Sequence, residues 1–356
     1  MERSKSAAGL APGWLYFYVH FVTEVVCFFA LGRLAGDSAW LWIMPLIYDA
    51  LAFVPQSLIG AWSDRHPRCN FGVIGLVLLS AASLLFLLSG KPAALIALIV
   101  LCIGNACTHV SGAEVTLRSA AGRLSPSAIF VSGGSFGVIT GRLLAKTGLP
   151  IWVMAIFALT AIPFVLLAEY DRRAADKTAR PCAAFHYASE KVPAVVVILA
   201  AVLIVIVRGY MGYGIPTSWK KTVLQTVLLY VAMGVGKAAG GVLADRFGVK
   251  RIALFSAAAA LPFLLLGDER MLISLIGVMF FSMTMSITLA LLVSVLPETP
   301  GLAFGLTTIG LFLGTAPIFF FKFTTVRSNG IIIAAFTLLC LIGMAIIIRK
   351  DEKRNV

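Results

Sequence analysis

The chain has 356 residues, of which 60% are hydrophobic and 13% charged, with a formal net charge of +13. Soluble domains are about 45–50% apolar and about 25% charged, so this composition excludes a secreted, cytosolic or disordered protein and places the chain in a lipid bilayer. The lysines and arginines gather in short segments between apolar runs, a pattern of membrane orientation that argues against a nucleic-acid partner.

A spanning helix needs about 20 mostly apolar residues. That window predicts twelve spans: 13–33, 39–61, 70–89, 92–114, 126–146, 149–169, 192–215, 221–243, 250–267, 271–294, 301–321 and 328–348. The first run holds His20 and Glu24 and shows no small-residue cleavage site, so it reads as a span and not a removable signal. Ser125-Pro126 reads as an N-cap followed by proline at the first helical position, which starts span five. Prolines 45, 55, 163, 262 and 317 fall inside spans, where neighbouring helices tolerate them as kinks. An even number of spans puts both termini on one side, and the basic bias of that side makes it cytoplasmic. The six cysteines form no C-x-x-C pair and read as free thiols.

The longest polar stretch, 170–191, separates six spans from six. This predicts an all-α membrane fold of two pseudo-symmetric six-helix bundles, 1–169 and 192–356, joined by a cytoplasmic linker. The halves echo each other. Span two ends in Gly60-Ala-Trp-Ser-Asp64-Arg65-His-Pro-Arg68, and span eight in Gly241-Val-Leu-Ala-Asp245-Arg246-Phe-Gly248-Val-Lys250-Arg251. A repeat on the scale of half a chain points to a parallel-repeat transporter with its site between the halves.

Both segments resemble the loop 2–3 motif of the major facilitator superfamily, a glycine followed by Asp-Arg and further basic residues. The stretches Thr108-His109-Val-Ser-Gly112-Ala113-Glu114 and Ser132-Gly133-Gly134-Ser135-Phe136-Gly137 are similar to spans four and five of its fosmidomycin-resistance-like drug-efflux branch. Val110 and Arg142 stand where that branch has proline, and Ser135 where it has asparagine. The superfamily resemblance implies alternating access, with a latch in which the motif carboxylate meets the start of span eleven, here Thr299-Pro300-Gly301. Gly60, Asp64, Arg65, Arg68, Glu114, Arg118, Gly241, Asp245, Arg246 and Arg251 are the latch candidates. It also implies that spans five and eight face each other across the halves. Gly133, Gly137 and Gly141, with Gly236 and Gly240, would then let one half rock on the other.

An ionisable group at the bilayer centre costs at least about 2.5–3.5 kcal/mol, so each one present needs a use or a partner. At 1.5 Å per residue, Glu24 lies about 16 Å into span one and Asp49 about 15 Å into span two, both near the midplane. His20 and Glu24 share one helix face. Glu24, His20 and Asp49 are therefore the proton-coupling candidates, against static roles as hydrogen-bond or ion-pair partners. His109, Asn105, Arg208, Tyr213 and Lys237 are the substrate-cavity candidates. Buried arginine and lysine suit an anionic cargo, while snorkelling is the plainer reading for Arg142. His20-x-x-x-Glu24 is not the His-Glu-x-x-His zinc signature and shows no third ligand, so no metal is expected. There is no phosphate-binding loop, and no catalytic set of facing residues, so neither a cofactor nor an enzyme is expected.

The favoured reading is proton-coupled export of a small, anionic or amphipathic compound across the plasma or inner membrane by a monomer. The alternatives are symport or uniport uptake of a metabolite or sugar and, more distantly, a transporter-like sensor.

Overall fold

The computed structural model describes residues 11–34, 44–174, 182–321 and 326–351. It is helical throughout its described spans. In chain order these are α1 (Ala11–Leu34), α2 (Met44–Phe53 continued by Pro55–Arg65), α3 (Phe71–Leu85), α4 (Lys91–Ser119), α5 (Ser125–Leu144) and α6 (Trp152–Leu159 continued by Ile162–Ala174). The second half holds α7 (Ala194–Gly214), α8 (Val223–Phe247), α9 (Val249–Leu266), α10 (Met271–Met283 continued by Met285–Val295), α11 (Pro300–Thr315 with a 3-10 turn Ala316–Phe319) and α12 (Val326–Ile347). Eleven of the twelve are long and apolar enough to cross a membrane, and α3 is a shorter apolar helix. The start of span two and the middle of the linker lie outside the described residues.

Local chemistry sets the ends and the bends. Asn70 caps α3 by accepting from the Val73 amide at 3.0 Å. A reciprocal capping box of Thr222 and Gln225 opens α8. Gly248, with φ +101°, turns the chain between α8 and α9, a backbone state that favours glycine. Pro55 and Pro163 sit where α2 and α6 break, because proline removes an amide donor and crowds the preceding turn. Pro262 is carried inside α9. Span four runs five residues beyond its predicted end, to Ser119, so Glu114 is a buried residue of a helix interior.

The glycines pack differently from the expectation that they smooth the contact between halves. A Cβ on Gly133, Gly137 or Gly141 would strike the backbone carbonyls of Phe17, Phe21 and Val25, so this stripe seats α5 on α1 within one half. Gly236 and Gly240 press against the carbonyls of Met279 and Met283 on α10, again within one half. Spans five and eight do face each other across the halves, with Gly234 of α8 against the Phe136 ring of α5. Gly60 of α2 lies against the Gly301 carbonyl of α11, and Gly241 of α8 against Ala128 and Leu124. The motif glycine of each repeat is thus one point of close contact within the longer α2–α11 and α5–α8 interfaces between the bundles.

Candidate functional site

Two regions gather the polar side chains. The first is the end of the molecule that carries the Asp-Arg motifs. Asp64 accepts from the amides of Gly301 at 3.0 Å and Leu302 at 2.9 Å, the first turn of α11. Asp245 accepts from the amides of Leu124 and Ser125, both at 2.8 Å, and from the Ser125 hydroxyl, at the start of α5. Each carboxylate therefore caps a helix of the opposite half, where orphan amides and the helix dipole favour a negative charge. Ser125 is the first helical residue and not the N-cap, and Asp245 supplies the oxygens that its own side chain was expected to provide.

Arg118 of α4 adds a buried ion pair to Asp64 at 3.2 Å, and Ser63 donates to Glu114 at 2.8 Å. Arg65, Arg68, Arg246 and Arg251 are exposed and, among the described residues, take no part in this interlock; Arg246 lies over the Phe247 ring. The described part of the linker straps the same end. Cys182 donates its amide to Pro297 at 2.8 Å, and the Tyr187 hydroxyl reaches the Gly122 carbonyl in the other half. Burial pushes the Cys182 thiol up to about 11, so it stays neutral near pH 7.

The second region is the core of the first half. His20 and Glu24 on α1 face Asn105 and His109 on α4, two pairs at a spacing of four residues meeting across one helix contact. All four are buried. Gly134 leaves the space that the His20 ring fills. The hydrogen-bond geometry fixes the tautomers. His20 Nδ1 is 2.9 Å from the Phe130 carbonyl and His109 Nδ1 is 2.9 Å from the Asn105 carbonyl. A carbonyl only accepts, so each Nδ1 carries the ring proton and, in the neutral ring, each Nε2 is a bare lone pair. Those two Nε2 atoms are 2.9 Å apart, and Glu24 Oε1 is 3.2 Å from one and 3.6 Å from the other. Three acceptors converge with no donor among their own ring protons. Such an arrangement needs a proton, or another cation, between them. His109 is also the third donor that the spacing on α1 alone did not reveal. The three donor atoms lie within 4.8 Å of one another and could hold a metal ion.

Asn105 extends the cluster by donating to the Tyr48 hydroxyl at 3.0 Å. Tyr48 and the Phe130 carbonyl were not singled out from sequence. Tyr48 could have been, as a tyrosine beside the intramembrane Asp49. Asp49 is buried and lies within electrostatic reach of Glu24 and Arg142. Arg142 is exposed and stacks on Phe28 at 5.0 Å and Tyr230 at 5.7 Å, which joins α1, α5 and α8. Tyr213 is 58% exposed and within electrostatic reach of Asp49 and Arg142. Lys237 is half-buried on α8, within electrostatic reach of Glu24 on α1.

Arg208 lies on α7, within electrostatic reach of Lys237. Its guanidinium donates to the Phe281 carbonyl at 2.9 Å and stacks on the Phe281 ring at 4.9 Å. It lines a small cavity of about 20 Å³ with Ala257, Thr284, Thr337 and Cys340, enclosed by α7, α9, α10 and α12. This places Arg208, a substrate-cavity candidate from the sequence, among α7, α9, α10 and α12 inside the second bundle.

No family model matches the chain, and no curated protein matches it. Solved structures do resemble it. FucP, a major facilitator superfamily transporter in the outward conformation, aligns with a TM-score of 0.61 at 12% identity, over 95% of this chain and 99% of that one. The proton:xylose symporter XylE, bound to 6-bromo-6-deoxy-D-glucose, aligns with a TM-score of 0.63 at 13% identity, over 96% and 95%. The human organic anion transporter MFSD10 (TETRAN) aligns with a TM-score of 0.60 at 15% identity, over 96% and 99%. At these identities the likeness concerns architecture: the chain has the major facilitator fold.

Proposed function

We propose that the protein is a secondary transporter that works by alternating access and moves a small compound across a membrane in exchange for protons. The reciprocal capping of α11 by Asp64 and of α5 by Asp245 carries this reading. Each half grips the other through a carboxylate and a few amides, a contact that can be made and broken as a unit. It is strong enough to close one end and weak enough to release it. We take this end as cytoplasmic from the basic bias of its loops. Residues 1–169 and 192–356 then act as two moving bodies on a linker at 170–191.

The convergence of His20, Glu24 and His109 supports proton coupling, since the cluster needs a positive charge to be stable. Lys237 and Arg142 on the α8 and α5 faces favour an anionic or amphipathic cargo. Export by antiport is the primary reading. Uptake by symport is the second, favoured by the shared fold with a proton:xylose symporter.

Everted membrane vesicles made acid inside, read with a pH dye, separate the two. The panel holds phosphonates, organic acids, amphipathic cations and sugars, with Glu24→Gln as the comparison. Antiport predicts that one class dissipates the gradient with the wild type and not with the variant. Radiolabelled uptake without any such dissipation would replace export by symport or uniport.

A further inference from the structure

We infer that His20, Glu24 and His109 form a binding site for one divalent transition-metal cation of the zinc, cobalt or nickel class. The donor set is two imidazole nitrogens and one carboxylate oxygen, which suits these ions and not magnesium or calcium. The rings are already oriented for it. A metal-bound histidine typically donates its other N–H to a carbonyl or carboxylate, which fixes the tautomer and aims the lone pair. Both rings do so here, through Nδ1 to the carbonyls of Phe130 and Asn105.

The spacing also fits. Donors bound at about 2.1 Å to a tetrahedral ion lie about 3.4 Å apart. The three separations are 2.9, 3.2 and 3.6 Å, which bracket that value. Glu24 supplies a negative charge inside a buried site, and three protein ligands leave a position open for water or an exchangeable ligand. A closed four-ligand structural site has no such position, so this site suits an ion that enters and leaves. The metal uses the same lone pairs that hold the coupling proton, so the two exclude each other; that consequence rests on the proton-coupled reading, while the binding itself does not.

The test uses the full chain, purified in detergent with a Strep tag and no polyhistidine. Cobalt(II) is titrated and the visible d–d absorption followed, with zinc(II) as competitor. The variants are His20→Asn and His109→Asn. The asparagine amide can keep the bond made by Nδ1 while removing the donor at Nε2, so the helix contact survives and the ligand does not. Monodispersity and melting temperature check that each variant folds. The expected result is a single saturable cobalt site per chain, displaced by zinc, with affinity lower by about a hundredfold or more in both folded variants. Absence of saturable binding to the wild type, or binding unchanged in folded His20→Asn and His109→Asn, overturns the assignment. None of these readouts depends on transport. A failed metal site leaves the vesicle experiment standing, and a failed transport reading leaves the metal site standing.

Discussion

Asp245 does for α5 what Asp64 does for α11: each carboxylate accepts two backbone amides at the first turn of a helix in the other half. The resemblance to a known motif pointed to the Asp64 arm. The Asp245 arm is its counterpart in the second repeat, and together they close one end at two points related by the internal repeat.

Removing either charge should open that end. A carboxylate at a helix N-terminus is worth roughly 0.3–2 kcal/mol depending on burial. Asp64→Asn and Asp245→Asn should therefore each raise the open population by up to about thirtyfold. Spin labels at the exposed positions 68 and 251 would report the distance between halves. Asp64→Asn should have the larger effect, because it also removes the buried ion pair between Asp64 and Arg118. Unchanged distance distributions in both variants would show that the interlock does not hold the halves together.

Gly134 offers a test of the buried cluster that alters none of its polar atoms. A Cβ there would overlap the His20 ring, so Gly134→Ala must push the imidazole away from His109 and Glu24. Transport driven by a pH gradient should fall while the protein still folds. Gly212→Ala is the control, since nothing lies within 4 Å of its added carbon. Equal activity in the two variants would mean that the His20 position is not needed for coupling.

The spans were legible because lipid imposes one simple demand, a run of apolar residues long enough to cross, and the predicted edges fall within a few residues of the observed helices. The helix face shared by His20 and Glu24 was legible for a similar reason, a fixed period of 3.6. What sequence could not supply was the neighbour across that face. His109 meets Glu24 only because α4 packs beside α1, and no local pattern encodes that. The glycine stripes show the same limit. Their spacing announces close helix contact but not the partner: Gly133, Gly137 and Gly141 lie on the α1 backbone, while α5 meets α8 through other residues such as Phe136. Arg208 sits on an apolar helix with polar neighbours on no obvious face, and its inward direction in the second bundle is set by α10 and α12.

That placement gives the two basic residues that sequence had grouped together different surroundings. Lys237 lies within electrostatic reach of Glu24 of the opposite half as well as of Arg208, whereas Arg208 is held against Phe281 within its own half. If the cargo is anionic, Lys237→Met should raise the KM for it by about tenfold, the equivalent of about 1.4 kcal/mol. Arg208→Met should leave transport near wild type. It removes a guanidinium whose Nε has no hydrogen-bond partner, and thioether packing suits the apolar lining of Met211, Ala257, Ala260, Phe281 and Met344. Its melting temperature should therefore match or exceed that of the wild type. Radiolabelled uptake into proteoliposomes, with thermal unfolding of the same samples, measures both. A large loss of transport in a stable Arg208→Met protein would return that residue to the path of the substrate, and an unaffected Lys237→Met protein would remove Lys237 from it.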